Sequence, residues 1–203
     1  MPNMVWCFVT FTGPADVLAA IKESGLDFRK LHPCPYDDTM SKDDRWYMWH
    51  MAHWGCKWTA YDAKFKDISD SVLTVTFDTP NLPPYGFLAY LTKSHPGLKA
   101  TLDFAEEFDE TVGFVRFEKG RMKGEYIHPT LCKPSVLRMA QGHLPWLNAD
   151  VILQNTVNNG GDLEALDALP ELANRVTAFS VDMTYEEFVE MMEEESMSPR
   201  RTN

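Results

Sequence analysis

The chain has 203 residues, and 44% of them are hydrophobic and 12% aromatic, which excludes global disorder. Its 30 acidic and 19 basic residues give a formal net charge of -11, which opposes direct nucleic-acid binding because phosphate backbones are repelled. No stretch approaches the ~20 apolar residues of a membrane span, no signal-peptide pattern opens the chain, and the four scattered cysteines contain no CxxC pair. We therefore expect a cytoplasmic protein with reduced thiols and no membrane association.

The first elements are a strand and a helix. Apolar residues occupy both faces of the segment from Val5 to Phe11, which predicts a strand in the centre of a sheet. Pro14 suits a first helical position and Gly25 suits a helix end, so a helix is expected between them. The segment from Phe28 to Pro35 is interpreted as extended, although its two prolines exclude a central strand.

An aromatic segment and a hairpin come next. We expect a short helix from Trp46 to His53 that buries one side. Alternating residues then predict strands at Ala60 to Lys66 and Val72 to Phe77, joined as a hairpin.

The middle of the chain predicts a second helix and more strands. The helix is expected to begin after Pro83-Pro84 and to end at His95. Strands are predicted at Leu98 to Phe104 and Thr111 to Glu118, and a turn over Gly120 to Gly124 leads into a last short strand.

The order strand, helix, hairpin, helix, strand predicts an α+β protein of the split β-α-β, or ferredoxin-like, type: an antiparallel sheet with helices on one face. No strand series is evident after Pro129, so residues 129–203 are expected to form a mainly helical C-terminal extension to a domain of residues 1–128. Helices are predicted in that extension at Ser135 to Gln141, Leu163 to Asn174 and Thr184 to Glu195.

The last predicted helix has two distinct faces. Thr184 and Glu187 form a capping-box pattern, and Phe188, Met191 and Met192 make an apolar stripe. Six glutamates lie along the same helix. The helix either packs as a solvated surface helix or docks on a partner through the three stripe residues.

Aromatic residues between positions 46 and 58 form the candidate binding site. They either make a platform for a base, sugar or peptide, or fill the core as a structural cluster with one exposed edge. The candidate ligand- or partner-binding residues are Trp46, Trp49, His53, Trp54, Lys57 and Trp58.

A zinc site is the second possibility. His50, His53 and Cys56 are spaced three apart, and His32 and Cys34 carry suitable ligand atoms. A helix that ends at the glycine before Cys56 would leave that thiol off the helical face, so packing and hydrogen bonding explain these residues as well. We expect no metal, no cofactor and no catalytic residue.

Several landmarks occur together in residues 1–127. The opening Met1-Pro2-Asn3 is followed by Trp6-Cys7, and later segments are Leu31-His32-Pro33-Cys34-Pro35, Trp46-Tyr47-x-Trp49 and Trp54-Gly55-x-Lys57-Trp58. This series resembles the YubB-type, or Api-ninety-two-like, ferredoxin-like domain of phage and plasmid accessory proteins. His53 and Cys56 replace that family's Asn and Thr. The resemblance implies a fold and a genomic setting but no reaction.

Two functions remain open. The first is non-catalytic binding of a protein partner by a virus-, phage- or plasmid-encoded accessory protein, in a structural or host-modulating role. The alternative is a small ligand-binding or enzymatic domain that uses the segment 46–58. Solvent-facing Trp49 and His53 around a pocket would favour the alternative, whereas burial and pairing of both would oppose it.

Overall fold

A seven-stranded antiparallel sheet dominates the computed structural model, which describes residues 4–36, 44–106, 112–127 and 179–197. In chain order the elements are β1 (Met4–Thr12), α1 (Ala15–Ser24), α2 (Phe28–Leu31), α3 (Arg45–His53), β2 (Tyr61–Ser69), β3 (Val72–Pro80), α4 (Tyr85–Ser94), β4 (Lys99–Glu106), β5 (Val112–Glu118), β6 (Arg121–Ile127), β7 (Phe179–Thr184) and α5 (Tyr185–Met197). The strand order is β2-β3-β1-β4-β5-β6-β7, and neighbouring strands are antiparallel. The predicted α+β class is confirmed.

Strand β1 lies in the middle of this order, between β3 and β4, as its apolar pattern predicted. Val5, Cys7, Val9 and Phe11 are fully buried, while the alternate residues of the strand are half-buried. The period of two therefore assigns one row of side chains to the core.

The helices pack against that buried row. Pro14 precedes α1, and Gly25 ends it with a φ of 69°, a left-handed conformation that suits glycine. Leu18 and Ile21 of α1 and Phe87 of α4 join the buried side chains of β1 in one hydrophobic cluster. The predicted helices α1, α3 and α4 are confirmed.

The edge strand β2 differs from the central strands. Most of its residues are exposed, but Ala63 and Phe65 are half-buried and pack against the core. Its pairing with β3 shifts register between Tyr61 and Lys64 and again between Asp67 and Ser69. These irregularities bend the edge of the sheet.

Two local predictions are wrong. The segment after Asp27 is not extended but forms α2, because the Asp27 side chain accepts a hydrogen bond from the Arg29 backbone N–H and so caps a helical turn. The predicted turn over Gly120 to Gly124 is also shorter than expected. Lys119 (φ 51°) and Gly120 (φ 79°) complete it, and Gly124 lies inside β6.

The C-terminal prediction of helices alone is corrected by β7, which pairs with β6 from Tyr126↔Phe179 to Arg121↔Thr184. Residues 179–197, here called the β7–α5 unit, thus extend the same sheet. The predicted capping box is confirmed: the Thr184 N–H donates to Glu187 Oε2 at 2.7 Å, and the Glu187 N–H donates to Thr184 Oγ1 at 3.2 Å.

Some predictions fall elsewhere in the chain. The helices predicted at Ser135 to Gln141 and Leu163 to Asn174 lie outside the described residues. The boundary at residue 128 stays a prediction. Within the described ranges, no helix has the length and apolar composition needed to cross a membrane.

Candidate functional site

The outer part of the aromatic segment is a stack held by a lysine. Trp46 and Trp58 lie with ring centroids 5.0 Å apart and planes inclined by 20°. The Lys57 ammonium lies 5.1 Å from the Trp58 centroid and 5.7 Å from that of Tyr47. Trp46 is buried, and Trp58 and Lys57 are half-buried. The lysine therefore lies over the Trp58 and Tyr47 rings while its charge stays near water.

The inner part of the segment belongs to the core. Trp54 is 1% exposed, and its Nε1–H donates to the His32 carbonyl oxygen at 2.9 Å. Its ring stacks on His50 at 3.7 Å and meets Phe28 edge-on at 5.7 Å. His50 Nδ1 donates to the Lys57 carbonyl oxygen at 2.9 Å, which fixes the orientation of that ring. These residues hold α2, α3 and the following loop together.

Trp49 and His53 pair with each other on α3. Both side chains are half-buried, and their rings stack with centroids 4.4 Å apart and planes at 23°. The two residues lie four positions apart, so helical geometry brings them to the same face. His53 Nδ1 also lies 2.6 Å from the Tyr185 hydroxyl oxygen.

Tyr185 connects two histidines from separate elements. Its hydroxyl oxygen lies 2.6 Å from His53 Nδ1 and 3.0 Å from Nε2 of His32, the residue that ends α2. His32 and Tyr185 are both buried. We call this arrangement, with Tyr90 and Trp49 against its rings, the His-Tyr-His cluster.

Aromatic rings enclose the cluster. Tyr90 of α4 stacks on His32 at 3.5 Å with a 6° angle between the planes, and Trp49 lies 4.9 Å from His32 on another side. Lys93 Nζ lies 5.5 Å from the Tyr185 centroid. The cluster thus joins α2, α3 and α4 to the start of α5.

Burial sets the protonation of these groups. It lowers the pKa of His32 to about 4, and the nearby His53 acts in the same direction. Burial also lowers the pKa of His53, against an opposing effect of Glu193. The pKa of the Tyr185 hydroxyl is raised by burial and then by Tyr90. At neutral pH both imidazoles and the phenol are therefore uncharged.

Neutral groups allow a directed hydrogen-bond chain. The Tyr185 hydroxyl can donate to one imidazole and accept an N–H from the other. Such a chain orients the three side chains and satisfies their buried polar atoms. These hydrogen bonds join the elements that carry the three side chains. The same uncharged groups can also pass a proton from one imidazole to the other through the hydroxyl.

Sequence reasoning singled out His53 and His32 but not Tyr185 or Tyr90. Tyr185 lies 153 positions from His32 and 132 positions from His53, so no local spacing pattern relates them. The capping box at Thr184 was visible, and it placed Tyr185 at the start of a helix. The apolar stripe indicated which side of that helix is buried, but nothing in the sequence indicated that this side faces the histidines.

The three candidate residues of the last helix have different surroundings. Phe188 is 5% exposed, and one of its ring carbons would lie 2.9 Å from a Cβ placed on Gly86. Met192 is half-buried and packs against the core, whereas Met191 is 36% exposed. Most of the apolar stripe is therefore used inside the protein.

The opposite side of α5 is acidic and exposed. Glu186 pairs with Lys93, and Glu187 is occupied by the capping box. Glu190, Glu193 and Glu194 lie farther along the same helix and are exposed. The helix thus turns an anionic surface towards solvent.

The residues suggested for zinc do not form one metal site: His32 and His53 meet at the Tyr185 hydroxyl, and His50 and Cys56 lie elsewhere. His50 and Cys56 are fully buried within the core, and the Cys56 thiol donates to the Trp58 carbonyl oxygen at 3.3 Å. Within the described ranges, no group of three or more His, Cys, Asp or Glu side chains is arranged to hold a metal ion.

Comparisons with protein-family models, with curated proteins and with solved structures give no match. The function must therefore be argued from the arrangement of the side chains.

Proposed function

We propose that this chain is a non-catalytic accessory protein of a virus, phage or plasmid, and that the acidic face of α5 binds a basic surface of another protein in the host cytoplasm. One observation carries the proposal: α5 buries its apolar side through Tyr185 and Phe188 and leaves its glutamates in solvent. A helix fixed in this way presents its charges in a constant arrangement.

The charge balance supports a basic protein as the partner. The net charge of -11 favours approach to positively charged surfaces and opposes nucleic acid. Regularly spaced carboxylates resemble the anionic surface that a nucleic-acid-binding protein normally meets. The protein would then occupy such a protein in place of its natural ligand.

The internal use of the tryptophans is the second support. Trp54 and His50 are buried, and Trp49 and His53 are paired with each other. A site for a small ligand needs ring faces and polar atoms that a ligand can reach. The alternative function, a ligand-binding or enzymatic domain built on segment 46–58, therefore receives less support.

We propose that the first four strands form a domain of the split β-α-β, ferredoxin-like type. Their order β2-β3-β1-β4, with α1 following β1 and α4 following β3, supports this proposal. The resemblance to the YubB-type domain leads to the same fold. We propose that β5, β6 and the β7–α5 unit are additions to such a domain.

Affinity capture from a bacterial lysate tests the function at about 50 mM and about 500 mM salt, because screening removes contacts between exposed charges. We expect a basic protein to be retained by the natural chain at low salt only, and to be lost with Glu190→Gln/Glu194→Gln. The matched control is Asp16→Asn/Glu23→Gln, which removes the same charge from exposed positions of α1. Retention of the partner that is the same at both salt concentrations, or equal retention by both variants, would contradict the proposal.

A further inference from the structure

In addition to the pairing of β7 with β6, one shared hydroxyl joins the β7–α5 unit to α2 and α3. Tyr185 begins α5, while His32 ends α2 and His53 ends α3. Both imidazoles reach the same oxygen atom, at 3.0 and 2.6 Å. We propose that this His-Tyr-His cluster attaches the β7–α5 unit in a pH-dependent way, and that mild acid detaches the unit from α3 and α4 while the central strands stay folded.

Protonation changes the hydrogen bonds that the cluster can make. A neutral imidazole has one N–H and one acceptor nitrogen, whereas a charged imidazole has two N–H groups and no acceptor. With either histidine neutral, the Tyr185 O–H can still donate to it. With both histidines charged, neither His32 nor His53 can accept from the hydroxyl, and two cationic rings lie with centroids 5.8 Å apart.

Charged and titratable groups face the cluster from every element packed against it. From α4, Tyr90 covers the His32 ring and Lys93 lies over the Tyr185 ring. From α5, Glu186 and Glu193 act on the Tyr185 hydroxyl, and Glu193 also acts on His53. From α3, the apolar ring of Trp49 contacts both histidines. Glu193 is the one group among these that favours a charged histidine, and it offsets only part of the effect of burial.

The direction of the pH effect follows from burial. Detachment exposes His32 to water, where its pKa returns towards 6.5 from about 4. Below pH 6.5 the detached state therefore binds a proton that the attached state does not bind, and acid favours detachment. For His32 alone the equilibrium shifts by at most about 30-fold between pH 7.5 and pH 5, since Tyr90 and Trp49 still cover part of the ring after detachment, and His53 shifts it in the same direction.

Detachment is local because of where the unit lies. β7 is the terminal strand of the described sheet and pairs with β6. Three ion pairs also join the unit to its neighbours, Lys93–Glu186, Arg121–Asp182 and Lys123–Asp182, and all of these side chains are well exposed. Exposed ion pairs contribute little, so the unit is attached mainly by the β6–β7 pairing and by its buried side chains, which include Tyr185 and Phe188.

Hydrogen exchange measured by mass spectrometry tests this inference on the full chain. Protection factors of peptides from β7 and α5 are compared with those from β1 and β3 at pH 7.5 and about pH 5, after correction for intrinsic exchange rates. We expect protection of the β7–α5 unit to fall at least tenfold in acid, to a level well below that of β1 and β3, which remain folded when the unit detaches. Equal protection of the unit at both pH values would overturn the inference.

Variants identify the groups responsible. His32→Gln/His53→Gln keeps polar side chains that do not titrate, and we expect the acid-induced loss of protection to disappear. His95→Gln, at the end of α4, is the control and should respond to acid like the natural chain. A double variant that keeps the natural acid response would refute the assignment.

A direct titration covers the case in which the double variant does not fold. Nuclear magnetic resonance of the natural chain follows the imidazole signals of His32 and His53 through the same pH range. We expect both to titrate below the histidines of the chain denatured in urea, and to do so together with the loss of α5 protection. Titration of both at the denatured value would contradict the proposal. None of these outcomes depends on the proposed partner.

Discussion

Gly86, the second residue of α4, is a position where the addition of one methyl group should lower the stability of the protein. A Cβ placed there would lie 2.6 Å from the His53 carbonyl oxygen and 2.9 Å from a ring carbon of Phe188. Both distances are shorter than any ordinary van der Waals contact. Gly86→Ala must therefore push apart α3, α4 and α5 where they meet.

Two opposing effects set the size of the loss. Overpacking of a close contact costs about 1–3 kcal/mol, and a backbone carbonyl at the end of α3 cannot turn aside as a flexible side chain can. Replacing a helical glycine by alanine returns up to about 1 kcal/mol. We expect a net decrease of about 1–2 kcal/mol in the free energy of unfolding.

Urea denaturation followed by tryptophan fluorescence measures this change, since six tryptophans report on the fold. Ser94→Ala at the exposed end of the same helix is the control and should change stability by less than about 0.5 kcal/mol. Gly25→Ala separates strain from crowding: nothing lies within 4 Å of its Cβ, so only the φ of 69° opposes it, at a cost of about 1 kcal/mol. A Gly86→Ala chain as stable as the natural one would refute the close approach of the three helices.

Three further predictions concern single groups. Burial lowers the pKa of His32 to about 4, so the protein has its full stability above pH 6.5 and loses about 3 kcal/mol of the free energy of unfolding as the pH falls towards 4. Urea midpoints measured across this pH range should fall less steeply for His32→Gln than for the natural chain. Thr184→Ala removes the cap of α5 and should cost about 1 kcal/mol in thermal unfolding, whereas an unchanged midpoint would contradict the cap. Gly120→Ala should lower the free energy of unfolding by at least about 1 kcal/mol, because the residue has a φ of 79° and its Cβ would lie 2.9 Å from that of Lys93. Lys119→Ala at the exposed neighbouring position is the control, and an equal loss of stability in both variants would refute the crowding at Gly120.

Much of the sheet could be predicted because its signals are local. Alternation in β1 and β3 and the prolines before α1 and α4 each act within a few residues. The strand β7 was missed although Val181 and Met183 alternate with polar residues. It is six residues long and passes directly into a helix, so Thr184 ends the strand and caps the helix at once.

The candidate site was predicted in part. A structural cluster was one of the two interpretations of the tryptophans between positions 46 and 58, and Trp54 is buried in the core. The role of His53 could not be derived, because its partner Tyr185 is brought to it by β7 and α5 from far along the chain. The pairing of Trp49 with His53 was foreseen only as one of two outcomes.

The irregular edge strand β2 has a consequence for behaviour at high concentration. A foreign strand that adds to this edge must follow two register shifts and lie beside the exposed Lys64 and Lys66. The register shifts and the lysine charges each oppose the addition of further strands along this edge. The sheet is thereby shielded on this side from aggregation and fibril growth, even though strands make up so much of the described chain.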